Sequence, residues 1–131
     1  MIKKSPIVLG AALGAAVVLA GLQICSYRMD HGPLLGRWRF DRMVRGEIQR
    51  LETGSDAQRM WAANRLGPMG MAGRADVREA LTKALKDPNP TVAANARLSL
   101  HFFLRDESVK IDKETYRLAV QTPPDPEYPA R

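Results

Sequence analysis

The stretch from Lys83 to Phe103, KALKDPNPTVAANARLSLHFF, decides the fold because two apolar runs flank one break in it. Asp87-Pro88 ends the first run. Asn89 is a suitable N-cap for the next helix, and Pro90 suits its first position, where a missing N–H costs nothing. The stretch therefore predicts two helices joined by a tight turn.

The second of these helices is apolar on two faces. One stripe consists of Val92, Ala96, Leu100 and Phe103, and the other consists of Ala94, Leu98 and Phe102. A helix that is apolar on two sides is packed between neighbouring helices. The small alanine side chains predict axes near the short end of the usual separation of ~8–10 Å. This pattern favours an α-solenoid.

The composition of the 131-residue chain agrees with a small all-α domain. Hydrophobic residues make up 45% but aromatic residues only 6%, so the core must be built from Leu, Val, Met and Ala. That core favours close helix packing over a β-sandwich. The single cysteine, Cys25, excludes an internal disulfide. The formal net charge of +6 is compatible with an anionic partner surface or with a solvated helical surface.

Local start and stop signals place the other helices. Asp41 is a suitable N-cap for a helix that ends near Thr53, and Ser55 with Gln58 forms a capping-box pattern for the next one. The remaining signals are a helix stop at Gly67-Pro68, a second capping box at Asp76 and Glu79, and a last helix over residues 112–121.

Residues 1–27 predict a single transmembrane helix. Two lysines precede an apolar run of 16 residues from Ile7 to Leu22, and the segment from Ile7 to Tyr27 has 21 residues. At about 1.5 Å per residue, that length crosses a hydrocarbon core of ~30 Å. An uncleaved anchor is favoured, and a signal peptide cleaved after Ala20 stays open. The basic start favours an extracytoplasmic domain, whereas five arginines beyond the span oppose that topology.

Four regions follow from these signals. His31-Gly32-Pro33 breaks any helix that leaves the membrane, and four prolines favour an extended C-terminus. The predicted regions are a membrane segment at 1–27, a juxtamembrane linker at 28–36, a helical repeat domain at 37–121 and a Pro-rich tail at 122–131.

The chain also contains an internal repeat. A shift of 34 residues aligns Leu51 with Leu85, Ala62 with Ala96, and Leu66 with Leu100. Repeats of this length that consist of two helices are typical of α-solenoids. We therefore predict a short solenoid of about two helix pairs after the membrane helix.

Residues 66–100 contain a recognisable pattern that consists of Leu66, Gly67, Leu81, Leu85, Asp87, Val92, Ala96 and Leu100. In these residues the stretch resembles the HEAT-like repeats called the phycobilisome-lyase type. The resemblance implies that Asp87 ties the turn and that Val92 packs the new helix. Ala93 stands where the family usually has Arg, and His101 stands where it usually has Gly, so the last unit is atypical. The resemblance implies a scaffold, because such repeats serve many unrelated proteins, and no bilin-binding feature accompanies it.

The sequence indicates no enzyme activity, and we expect neither a cofactor nor a metal. His31 and His101 are 70 residues apart, and no Cys or His cluster has metal-ligand spacing. The glycines at 67, 70 and 73 follow a helix, whereas a phosphate-binding loop follows a strand.

We expect a protein–protein interaction module that acts as a scaffold, an assembly factor or an accessory subunit of a membrane complex. The alternative is a basic helical module that binds anionic lipid or nucleic acid. Acids are interspersed among the arginines, which counts against nucleic acid. Two repeats leave apolar end faces uncovered, so we expect a membrane-associated protein partner or a second copy of the chain.

The candidate partner-binding residues come from three signals. Glycines four residues apart let another transmembrane helix approach closely, methionines on a loop form an adaptable surface, and the second stripe of the Ala-rich helix faces a neighbour. A Trp among arginines suits either the lipid headgroup level or the core of the first helix. The candidates are Gly10, Gly14, Trp38, Met69, Met71, Ala94, Leu98 and Phe102.

Overall fold

The structure is a computed structural model that describes residues 33–127, with side chains described from residue 36 onward. Five α-helices lie in this part of the chain: α1 (Pro33–Thr53), α2 (Asp56–Met69), α3 (Ala75–Ala84), α4 (Pro90–Leu98) and α5 (Lys113–Ala119). A 3-10 turn at Gly70–Ala72 follows α2, and a π-helical turn at Ser99–Phe103 extends α4. No strand occurs between residues 33 and 127, so the all-α prediction is confirmed for this range.

The chain divides into two compact units, residues 1–41 and residues 42–131. The described part of the first unit is the beginning of α1. The second unit contains the remainder of α1 and all of α2 to α5.

The predicted membrane helix, together with Gly10, Gly14 and the possible cleavage after Ala20, lies outside the described residues. Within the described range, every helix is too short or too polar to cross a bilayer.

The core of the second unit combines a few large aliphatic side chains with many alanines. Leu66, Leu81 and Leu100 are fully buried, and Val44 and Leu51 bring α1 into the same cluster. The buried alanines of the cluster are Ala62, Ala63, Ala80, Ala84 and Ala96. Small side chains of this kind permit close approach of helix axes, as the sequence predicts.

Helices α2 and α4 run side by side in the same direction. Asn95 Nδ2 lies 3.5 Å from the carbonyl oxygen of Met60, and the Ser99 hydroxyl donates to the carbonyl of Ala63 at 2.7 Å. The two pairs are separated by 35 and 36 residues. This nearly constant separation, close to the 34-residue repeat, is expected when equivalent helices of successive repeats are neighbours. Helix α4 also packs against α3 and α5, so it is covered on more than one side.

Several local predictions are confirmed. Ser55 and Gln58 form the reciprocal capping box of α2. Asn89 caps α4 by accepting from the Thr91 N–H, with Pro90 at the start of the helix. The last predicted helix is α5, whose N-cap is Asp112.

Other local predictions are wrong at their ends. Residues 33–36 are helical as part of α1 although we assigned them to the linker. Asp41 lies inside the same helix instead of capping it.

The predicted helix stop and the second capping box also differ from the structure. Helix α2 continues through Gly67 and Pro68 to Met69, and Gly70 is its C-cap. Arg74 is the N-cap of α3 and makes no side-chain cap. Asp76 instead accepts from Arg74 and from the Val77 N–H, so its carboxylate is occupied locally.

Candidate interaction surface

The residues from 122 to 127, called the tail segment below, cross the face formed by α2 and α4. The Trp61 indole N–H of α2 donates to the carbonyl oxygen of Pro123 at 2.9 Å. The Asn95 amide of α4 donates to the hydroxyl oxygen of Thr122 at 2.8 Å, and that hydroxyl donates to the carbonyl of Ala119. Both helices therefore supply hydrogen-bond donors to one non-helical segment.

Ion pairs continue this contact toward α1. Arg65 of α2 pairs with Asp125 and lies 3.5 Å from a carboxylate oxygen of Glu127. Arg50 of α1 pairs with Glu127 at 2.9 Å. Two arginines from two helices thus meet two acids of the tail segment.

Glu47 fixes these two arginines from the other side. Its side chain is 5% exposed, and its Oε1 atom accepts from Arg50 at 2.5 Å and from Arg65 at 3.3 Å. Its Oε2 atom is buried and has no hydrogen-bond partner among the described residues. A buried carboxylate needs cationic partners to offset its desolvation, so Glu47 holds both guanidinium groups near the tail segment.

The pKa of Arg65 reflects this environment. Partial burial acts to lower the pKa, but the hydrogen bond to Asp125 and the charge of Glu47 outweigh it, and the pKa of Arg65 is raised. Arg65 therefore stays cationic whenever the domain is folded.

A second concave region lies between α4 and α5. It has a volume of about 250 Å³, and its apolar wall comes from Ala93, Ala94 and Leu118. Arg97 and Asp112 also line it. The hydrogen bond from the Thr115 hydroxyl lowers the pKa of the Asp112 carboxyl, because it favours the charged form. That carboxylate is therefore committed to capping α5.

The three residues of the second predicted stripe of α4 differ in their burial. Ala94 is buried against α5, Leu98 is half-buried, and Phe102 is 54% exposed with its ring edge-on to His101. The stripe is therefore covered at its start and open at its end.

The two methionines that we predicted to lie on a loop differ from each other. Met69 is the last residue of α2, is half-buried and packs against the core, whereas Met71 in the 3-10 turn is 66% exposed. Only Met71 therefore offers most of its side chain to another molecule.

Trp38 lies in the first unit and is 51% exposed. Arg37 and Arg39, its neighbours in sequence, are also exposed. The described end of the first unit thus combines an indole with two cations.

Sequence reasoning missed the residues that hold the tail segment. We did not predict Trp61, Arg65 or Asn95 as candidates, because their partners in the tail segment are distant in the sequence. The separations are 62 residues for Trp61, 60 for Arg65 and 27 for Asn95. One signal was available: Asn95 is a polar residue within the otherwise Ala-rich and buried part of α4. A buried amide requires a hydrogen-bond partner, and the tail segment provides one.

No family model, curated protein or solved structure matches this chain. The resemblance to HEAT-like repeats therefore rests on the quoted residues alone. No group of three or more His, Cys, Asp or Glu side chains suited to a metal ion occurs among the described residues.

Proposed function

We propose that this chain is a membrane-anchored, HEAT-like repeat protein whose short α-solenoid acts as a protein–protein interaction module. Its role is that of a scaffold, an assembly factor or an accessory subunit of a membrane complex. The two helix pairs are α1 with α2 and α3 with α4, and α5 closes the second pair.

The repeat interpretation is supported by two pairs of residues that are 34 positions apart and equally buried. Ala62 and Ala96 are both fully buried, and so are Leu66 and Leu100. The parallel neighbours α2 and α4 are the corresponding second helices of the two pairs.

One observation carries the interaction role, namely that large apolar side chains remain exposed on the α4 extension and on α5. Phe102 and Phe103 of the α4 extension are 54% and 40% exposed, and Tyr116 and Val120 at α5 are 50% and 80% exposed. Exposed apolar side chains of this size favour contact with a protein partner. A solenoid with only two repeats has no third repeat to cover its last helices.

The alternative role, binding of anionic lipid by a basic module, is favoured by a different observation. Arg37, Trp38 and Arg39 are exposed together at the start of α1, and such a combination suits a headgroup layer. This role would place the contact in the first unit and leave Phe102 without a protein neighbour.

Site-specific photocrosslinking of the full-length chain in membranes tests the proposal. The membranes are washed with carbonate and high salt first, because an inserted span survives both treatments. A photoreactive residue replaces Phe102, Val120 or Trp38, and Glu79 on the exposed face of α3 is the control position. We expect a discrete protein adduct from positions 102 and 120 and none from position 79.

Two results would contradict the proposal. Loss of the chain from the washed membranes would exclude the anchor. Lipid adducts at position 38 without protein adducts at positions 102 and 120 would move the lipid-binding role ahead.

A further inference from the structure

We propose that the face of α2 and α4 is a binding site for an extended, acidic, proline-containing segment of a partner protein, and that the tail segment occupies this site as a removable cover. The inference rests on the proposed function as an interaction module and names the chemistry of one partner. It is carried by the contacts between residues 122–127 and the helices.

The face and the tail segment have complementary hydrogen-bonding chemistry. Pro123, Pro124 and Pro126 have no backbone N–H, so the segment presents mainly acceptors. The face presents donors, namely the indole of Trp61, the guanidinium of Arg65 and the amide of Asn95. Any extended segment with a free carbonyl and a carboxylate two residues further on would satisfy the same donors.

The donors belong to side chains that are also held by contacts outside the tail segment. Glu47 keeps Arg50 and Arg65 on one side of the face, and it is itself buried. Asn95 and Trp61 belong to helices whose packing does not depend on the tail segment, because α2 and α4 contact each other directly. A prepared site of this kind binds with a smaller ordering cost.

The attachment of the tail segment is suited to exchange. No residue from 122 to 127 is classed as buried as a whole. The ion pairs of Glu127 are partly solvated, whereas the Asp125 side chain is 11% exposed where it meets Arg65. Salt weakens the solvated pairs of Glu127, and a competing carboxylate can replace Asp125 at Arg65 without leaving that arginine unpaired. Connection to α5 gives the tail segment a high effective concentration, so a partner segment must be locally concentrated or bind more tightly to displace it.

The occupant is a partner's segment and not the tail of a second copy. The tail segment follows α5 directly and reaches its own α2 and α4 in the same chain. An intramolecular fit of this kind removes the need for exchange between copies.

The test uses the full-length protein in mild detergent and a fluorescein-labelled peptide with the sequence QTPPDPEY, which is residues 121–128. The double substitution Asp125→Asn and Glu127→Gln weakens the cover. By fluorescence anisotropy, we expect this variant to bind the peptide about tenfold more tightly than the parent does. A peptide with the sequence QTPPNPQY should bind about tenfold more weakly than the acidic peptide.

Two further substitutions in the uncovered variant examine the site itself. Arg65→Gln should reduce peptide affinity about tenfold, and Trp61→Phe should also reduce it, because the ring stays but the N–H donor is lost. Trp61→Phe is included because Arg65→Gln removes a cationic partner of Glu47 and could unfold the domain, whereas Trp61→Phe does not affect Glu47. Arg45→Gln, at an exposed arginine of α1, is the matched control and should leave the affinity unchanged.

Three results would overturn the inference. The first is that the uncovered variant binds the peptide no better than the parent does, and the second is that the two site substitutions have no more effect than Arg45→Gln. Sedimentation of the parent as a dimer that the double substitution dissociates would identify a second copy as the occupant. If any of these results occurs together with a protein adduct at position 102, only this inference is contradicted and the proposed function stands. If the peptide binds as expected but no adduct forms, the proposed function is contradicted and this inference stands.

Discussion

Gly67 has no side chain, and two residues of the α4 extension occupy the space that a Cβ would need. A Cβ at this position would lie 2.7 Å from Phe103 Cδ2 and 2.8 Å from Ser99 Oγ. Ser99 is buried and donates to the carbonyl of Ala63, so it cannot move without losing that hydrogen bond. Gly67 therefore permits close approach of α4 to α2, although its sequence context, Gly before Pro, predicts a helix end.

We expect Gly67→Ala to destabilise the domain by about 1–3 kcal/mol, because overpacking outweighs the better helix propensity of alanine. Gly46 in α1 is the matched control, since a Cβ there meets nothing within 4 Å. Gly46→Ala should stabilise the protein by about 0.4–1 kcal/mol. Denaturant unfolding of both variants gives the two values, and a stabilising Gly67→Ala would contradict the close approach.

At the scale of elements, Asp87 joins the α3–α4 turn to α2. Its carboxylate accepts two hydrogen bonds from Arg59, at 3.0 and 3.1 Å, and one from the Asn89 N–H at 2.8 Å. The hydrogen bond to Asp87 raises the pKa of Arg59. One side chain thus sets the turn and fixes its position on the preceding helix pair, which agrees with the role that the family resemblance implies.

We expect Asp87→Ala to lower the free energy of unfolding by about 1–3 kcal/mol, because Arg59 and the Asn89 N–H lose a largely buried partner. Glu79→Gln is the control, since the Glu79–Lys83 pair is exposed and such pairs contribute about 0.5 kcal/mol or less. Chemical denaturation compares the two. Equal effects of both substitutions would show that Asp87 does not tie the turn.

The elements also show which features the sequence could predict. The caps at Ser55 and Asn89 were predictable, because their hydrogen bonds span two or three residues. The predicted cap at Asp76 was wrong, because Arg74 is the N-cap of α3 and the Asp76 carboxylate accepts from the Arg74 side chain. Contacts between distant residues, such as those of the tail segment with α2, leave only a weak local signal.

At the scale of the whole molecule, charge is arranged mainly as pairs between elements and caps at helix ends. Arg59, Arg65 and Arg78 each pair with an acid from a distant part of the chain. Some of the dispersed arginines therefore connect elements through ion pairs. The only sign of these pairs in the sequence was that acidic residues are interspersed among the arginines. The net charge of +6 alone did not distinguish arginines that form ion pairs within the protein from arginines that bind an anionic partner.

Folding lowers the pKa of several carboxyl groups, so we expect acid to weaken the domain. The hydrogen bond from Asn89 lowers the pKa of Asp56, the one from Ser108 lowers that of Asp106, and the one from Thr115 lowers that of Asp112. A carboxyl whose pKa is lower in the folded state stabilises the protein above its ordinary value of 3.8, and this contribution is lost as the pH falls through the folded-state pKa.

Denaturant unfolding at neutral pH, near pH 5 and near pH 3 measures this dependence. The contribution of these carboxylates should be constant between the first two conditions and should fall in the third. Asp112→Asn keeps an acceptor for the α5 cap but removes its titration, so the fall below pH 3.8 should be smaller in this variant. Glu107→Gln, at an exposed acid, is the control for the change in net charge. An equal acid loss in Asp112→Asn and the parent would show that the cap of α5 does not contribute to the pH dependence.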